Sequence, residues 1–66
     1  MAIQYKSYTI LVSGELDNVS GDWNGRYRIM DKDGIVADES FSDAAGSEEE
    51  ALADAEEAAY AWVDYQ

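Results

Sequence analysis

Gly46-Ser47-Glu48-Glu49-Glu50-Ala51-Leu52-Ala53-Asp54-Ala55-Glu56-Glu57-Ala58-Ala59-Tyr60-Ala61-Trp62-Val63-Asp64 carries the clearest structural signal in the chain. Ser47 with Glu50 three residues on is the pattern of a capping box, in which each side chain satisfies an orphan N–H of the first turn. Glu48, Glu49 and Glu50 stand where the helix dipole favours negative charge. Ala51, Leu52, Ala55, Ala58, Ala59, Trp62 and Val63 recur at helical spacing and form one apolar face. Because alanine dominates that face, the helix can lie close on a sheet, with Leu52 and Trp62 as larger anchors. At 1.5 Å per residue the segment makes a rod of roughly 27 Å.

Upstream of this helix the pattern is extended. Ile35 to Phe41 reads as a strand with Ile35, Ala37 and Phe41 facing one way and Val36, Asp38 and Ser40 the other; the neighbours Ile35 and Val36 leave its facing open. Ser42 to Gly46 reads as a connection. Asp31-Lys32-Asp33-Gly34 reads as a tight turn, with Gly34 supplying a positive φ. Trp23 to Met30 is a second strand, with Tyr27 and Ile29 inward and Arg26 and Arg28 outward. Glu15 to Asp22 is a loop or wide hairpin connection, with Leu16 and Val19 as anchors. Ile3 to Val12 reads as one strand, alternating at Tyr8, Ile10 and Val12 and ending at Gly14. The expected fold is α+β: a single domain over residues 1–66 in the order β-β-β-α. A three-stranded antiparallel meander is covered on one face by the C-terminal helix.

Composition restricts the function. At 66 residues the chain makes one small domain, which buries about 60% of its unfolded surface. Apolar residues are 47% of the chain and eight are aromatic, too hydrophobic for a disordered acidic tail. Cysteine and histidine are absent, which removes disulfides, thiolate metal sites and the commonest general base. No stretch approaches the roughly 20 apolar residues of a membrane span. The first residues lack the basic and apolar regions of a signal peptide, so a cytoplasmic setting is expected.

The formal charge is −11, from 15 acids against 4 bases. That exceeds the magnitude of roughly 2–8 that keeps a small domain soluble. Phosphates would be repelled, so direct nucleic-acid binding is excluded and basic protein surfaces are the natural partners.

The acids are patterned as well as abundant. No lysine or arginine follows Glu48. Glu50, Asp54, Glu57 and Asp64 fall on one stripe of the helix, with Glu49 and Glu56 beside it. Like charges three or four residues apart cost a few tenths of a kcal/mol each. Asp64 also occupies the last turn, where the dipole prefers a cation. Asp31, Asp38, Glu39 and Asp43 form a second group, with Asp33 assigned to turn chemistry. Helical carboxylates at these spacings repeat every 4.5–6 Å or so, and phosphates of one DNA strand about every 3.4 Å of duplex axis. The bland alternative is a solvated face. The binding residues expected are Glu49, Glu50, Asp54, Glu57 and Asp64, with Asp31, Asp38, Glu39 and Asp43, and with Tyr60 as an aromatic anchor; Tyr65 lies close by.

No catalytic, metal or cofactor site is expected. Asp31-x-Asp33-Gly34 opens like a calcium loop, but the fifth position is Ile35 and the twelfth Ser42. No spacing suggests a carboxylate-held magnesium site, and a chain this short has little room for a glycosidase cleft. Gly14, Gly21 and Gly25 fit no phosphate loop and read as turn makers.

In size, acidity and lack of catalytic residues the whole chain resembles phage-encoded anti-CRISPR proteins and other DNA-mimic inhibitors. That resemblance implies a monomer or dimer occupying the DNA-binding surface of a protein complex, such as a CRISPR surveillance complex in the host cytoplasm. Locally, Arg26 to Ser40 followed by Ser47-Glu48-Glu49-Glu50-Ala51-Leu52-Ala53-Asp54-Ala55 is similar to the strands and helix of HicB-type antitoxins. It covers about half of the chain, without that family's proline-containing loop or the strand after its helix, and implies an adaptor that neutralises a basic toxin. A small structural protein whose acidity serves solubility is the third reading.

Crowded carboxylates should take up protons more readily in the fold than in the open chain, so stability is expected to rise as pH falls modestly below neutral. Self-repulsion also predicts that about 0.2 M added salt, which shortens the Debye length to less than about 10 Å, raises the melting temperature at pH 7. A thermal melt by circular dichroism checks this, and a lower melting temperature in salt would contradict it.

Overall fold

The computed structural model describes residues 1–66. Four strands and one helix follow in order: β1 Ala2–Tyr5, β2 Tyr8–Leu16, β3 Trp23–Met30, β4 Val36–Ala45 and α1 Glu48–Asp64. The strands form one antiparallel sheet in sequential order, β1-β2-β3-β4. The α+β class and the C-terminal helix on one sheet face agree with the sequence reading, but the sheet has four strands where three were expected.

The extra strand comes from the Ile3–Val12 segment, which folds back on itself. Tyr5 pairs with Tyr8, so Lys6 and Ser7 alone make the turn. Lys6 takes φ 56, a left-handed conformation that side chains other than glycine and asparagine seldom adopt. None of the residues that usually mark a two-residue hairpin is present, which is why alternation ran through the turn unbroken.

The connection between β2 and β3 is closed by Asp17. Its carboxylate accepts from the Val19 and Ser20 N–H groups at 2.9 and 3.3 Å. Its backbone N–H donates to Asp22 O at 2.8 Å. The expected anchors there do not anchor: Val19 is 98% exposed, and Leu16 sits exposed at the sheet end opposite Trp23.

β4 is longer than expected and runs through the segment read as a connection. It carries an irregularity at each end: its register against β3 shifts between Ile29 and Met30, and again between Asn24 and Arg26. Each shift inserts an extra residue in β4. Val36 therefore lies opposite Met30 and Phe41 opposite Arg26, both on the face away from the helix, whereas Asp38 and Ser40 lie opposite the buried Ile29 and Tyr27.

The core lies between the sheet and α1. Ile10, Val12, Tyr27 and Ile29 from the central strands meet Ala55, Ala59 and Val63 from the helix. Ala51, Ala55, Ala59 and Val63 form its buried ridge. Trp62 packs edge-on against Tyr8, and Tyr5 against Tyr60, at centroid distances of 5.7 and 4.6 Å. Ser47 caps the helix by accepting from Glu50 N–H at 3.1 Å.

Gly14 and Gly25 do not make turns. They pair across β2 and β3 beneath the first turns of α1. A Cβ on Gly25 would overlap the Ala51 carbonyl and the Ser42 hydroxyl, whereas one on Gly14 would approach only to 3.4 Å of a flexible Glu48 side chain. Gly25→Ala should therefore destabilise by about 1–3 kcal/mol, the usual range for overpacking, and Gly14→Ala by much less. Urea denaturation of both variants checks this; equal midpoints would show that the helix can lift at no cost.

Candidate functional site

The acids separate into those the fold uses and those it leaves free. Asp64, in the last helical turn, accepts from Lys6 Nζ at 2.7 Å and from Tyr5 OH at 2.8 Å. Its position at the dipole's negative end is thus compensated by a cation delivered from the β1–β2 turn. Lys6, then Tyr5, holds the Asp64 carboxyl below the usual range, and Asp64 in turn raises the Lys6 ammonium. Glu39 lies on the far face of the sheet, where Arg28 Nε and Arg26 Nη2 donate to it at 2.6 and 3.0 Å and depress it. It shares no surface with the helix acids. Asp38 accepts from Tyr27 OH at 2.7 Å. Asp31, rather than Asp33, closes its turn, accepting from the Asp33 and Ile35 N–H groups at 2.9 and 3.0 Å.

Tyr60 also lies apart from the free acids. It packs on Tyr5 at the β1 side of the helix, and its hydroxyl donates to Glu56 Oε1 at 2.7 Å. Tyr65 is almost fully exposed beyond the helix end.

On the opposite side, Asp43 from β4 meets Asp54 and Glu57 from α1 around a groove of about 440 Å³. Its apolar lining is Ala58 and Ala61; Phe41 borders it from β4, with its ring beside Arg26 on the far face of the sheet. One residue from the expected strand group and two from the expected helix group thus face each other across it. Glu49 and Glu50 extend the same charge along the first helical turn, both exposed. None of these five carboxylates forms an ion pair: the chain's three ion pairs are Lys6–Asp64, Arg26–Glu39 and Arg28–Glu39. The remaining base, Lys32, sits in the β3–β4 turn.

Sequence reasoning placed Phe41 with Ile35 and Ala37, whereas its ring stands beside Arg26 on the face away from the helix. Its 63% exposure follows from the β4 irregularities, which periodicity does not encode. Ser42 was read as a connector, but its hydroxyl is enclosed beside Gly25 without a hydrogen-bond partner.

Ionised carboxylates only accept, so the groove can take cationic and N–H donor groups. No three acids converge closely enough to hold a metal ion. Three carboxylates run against the crowding expectation. Asp17, Glu39 and Asp64 each move down, because Val19 N–H, Arg28 and Lys6 respectively hold the ionised form. A depressed folded-state value means stability that is present above the unfolded value near 4 and is lost as pH falls through the folded one. At the alkaline end, burial and then Asp38 push the Tyr27 phenol up to about 12. That stabilisation is present below the unfolded value of about 10 and is lost as pH rises toward about 12. In an ultraviolet pH titration Tyr27 should ionise last, and Tyr27→Phe should remove that step; a last step persisting in the variant would contradict the assignment. No family model, curated protein or solved structure matches the chain.

Proposed function

We propose that this chain is a binding inhibitor that acts in the cytoplasm, presenting carboxylates where the basic surface of a nucleic-acid-handling protein expects phosphates. The observation that carries this reading is the segregation of charge. Of four bases, three are paired on or behind the sheet or at its hairpin turn, and none reaches Asp43, Asp54 or Glu57. A net charge of −11 is thereby concentrated on the helix side and the sheet ends. A fold shaped by stability alone would place a lysine across the groove, where each partly exposed pair gains up to about 1 kcal/mol. Electrostatic attraction would speed the encounter with a basic partner, and the alanine lining of Ala58 and Ala61 would supply contact that excludes water. A DNA-binding channel, including that of a CRISPR surveillance complex, has the required lysine and arginine rows.

The runner-up is an antitoxin-like adaptor that adds a partner strand to the free edge of β4. The ten-residue length of that edge favours it. Its two register shifts count against it, because irregularities of this kind break the regular ladder that strand addition needs.

The two readings differ in salt dependence and in residues. Asp54→Lys with Glu57→Lys should weaken capture of the basic partner from its native host by roughly tenfold or more, equivalent to about 1.4 kcal/mol or more. Duplex DNA should compete for the captured protein, and the melting temperature should change little. If the double variant binds as well as the parent, or if DNA fails to compete, the phosphate-mimic reading is wrong and edge pairing becomes the better account.

A further inference from the structure

The face of the sheet away from α1 has no layer over it. Its side chains come from alternate positions: Leu11 and Ser13 on β2, Arg26, Arg28 and Met30 on β3, Val36, Glu39 and Phe41 on β4. Val36 and Phe41 are 49% and 63% exposed. Charge on this face balances, Arg26 and Arg28 standing against Glu39 and, at the end of β2, Glu15. It is the one broad surface of the molecule without excess negative charge.

The face also has relief. A depression of about 180 Å³ lies between β2 and β3, lined by Leu11, Ser13, Arg26 and Arg28 together with Val12. The depression is open to solvent, and its volume is on the scale of one aromatic ring, since an apolar cavity of about 150 Å³ holds benzene. Phe41 projects from β4 at the level of Arg26, whose guanidinium lies 5.8 Å from the ring centroid. Projection and depression therefore lie at one level along the strands, separated laterally by about one and a half strand spacings.

We infer that this open sheet face seats a second copy of the same chain, packed back to back across a two-fold axis so that Phe41 of each copy enters the depression of the other. An axis running along the strands between β3 and β4 carries each ring onto the opposite depression simultaneously, the reciprocal contact that a two-fold interface requires. Electrostatics favours this occupant. Sheets pack about 10 Å apart, and each helix lies on the far side of its own sheet. The two acidic helices then stand roughly 30 Å apart, beyond three Debye lengths of about 8 Å each. An approach through the helix side would bring the unpaired carboxylates of Glu49, Glu50, Asp54 and Glu57 against one another. The overlap covers about three strands of each copy, so the dimer belongs at the small end of interface sizes, below about 1,200 Å² in total, where association is weak. Both acidic grooves stay outward and open.

Sedimentation equilibrium from micromolar to millimolar protein tests this. The expected mass rises from 7.3 kDa toward twice that value, at lower concentration as salt is added. Phe41→Ala removes the projection and Ser13→Tyr fills the depression. Both positions are outside the core, and each variant should stay monomeric over the same range while melting like the parent. Ser13→Tyr also leaves the acidic groove untouched, so its effect reads the sheet face alone. A parent that remains at 7.3 kDa at millimolar concentration in high salt overturns the inference. So does association that survives in either folded variant.

Discussion

The carbonyl of Ala51 passes over Gly25 so closely that no side chain could stand between helix and sheet at that point. The remaining architecture adapts to this approach. A helix held that near must present alanine along its buried ridge, which it does at Ala51, Ala55 and Ala59, and can afford a larger residue only at Val63. The core is consequently thin: Ile10 and Ile29 are its largest fully buried side chains. A thin core leaves little reserve against opposing terms, and net stabilities of small domains are a few kcal/mol in any case. Aromatic packing at the rim, Trp62 on Tyr8 and Tyr60 on Tyr5, adds contact area where the ridge cannot.

Against that reserve the placement of charge is informative. Each base that pairs does so where structure needs it. Lys6 relieves the unfavourable carboxylate at the helix end, and the two arginines share Glu39 on the open face. The groove beside Phe41 receives none. One side of the molecule is thus electrostatically finished and the other is left unbalanced, and the boundary between them is the sheet itself.

The helix was legible because every local signal agreed: the Ser47 cap, the acidic first turn and the alanine period all pointed to the same element. The β3 strand and the Asp31–Gly34 turn were legible for the same reason, though Asp31 and not Asp33 closes that turn. The β1–β2 hairpin was not, because Lys6-Ser7 carries no turn signal and its left-handed residue is a lysine. The facing of β4 was also hidden, since an inserted residue reverses alternation without changing composition. Of the acids, Asp54, Glu57 and Asp43 came together as free groups, while Asp64 and Glu39 were taken up by partners. Those partners, Tyr5, Lys6, Arg26 and Arg28, lie 11 to 59 residues away, and contacts at such separations are set by tertiary structure alone.

The tie between the first hairpin and the last helical turn has a kinetic side. Tyr5 and Lys6 meet Asp64 across separations of 59 and 58 residues. Contacts that span so much of a chain are slow to form, since loop entropy must be overcome before they contribute. During synthesis β2 and β3 can pair early, but β1 gains its second support only once the distal helix has emerged and docked. Until then β1 is held by β2 alone, and that interval is when a nascent chain of this design is most open to capture by chaperones or proteases.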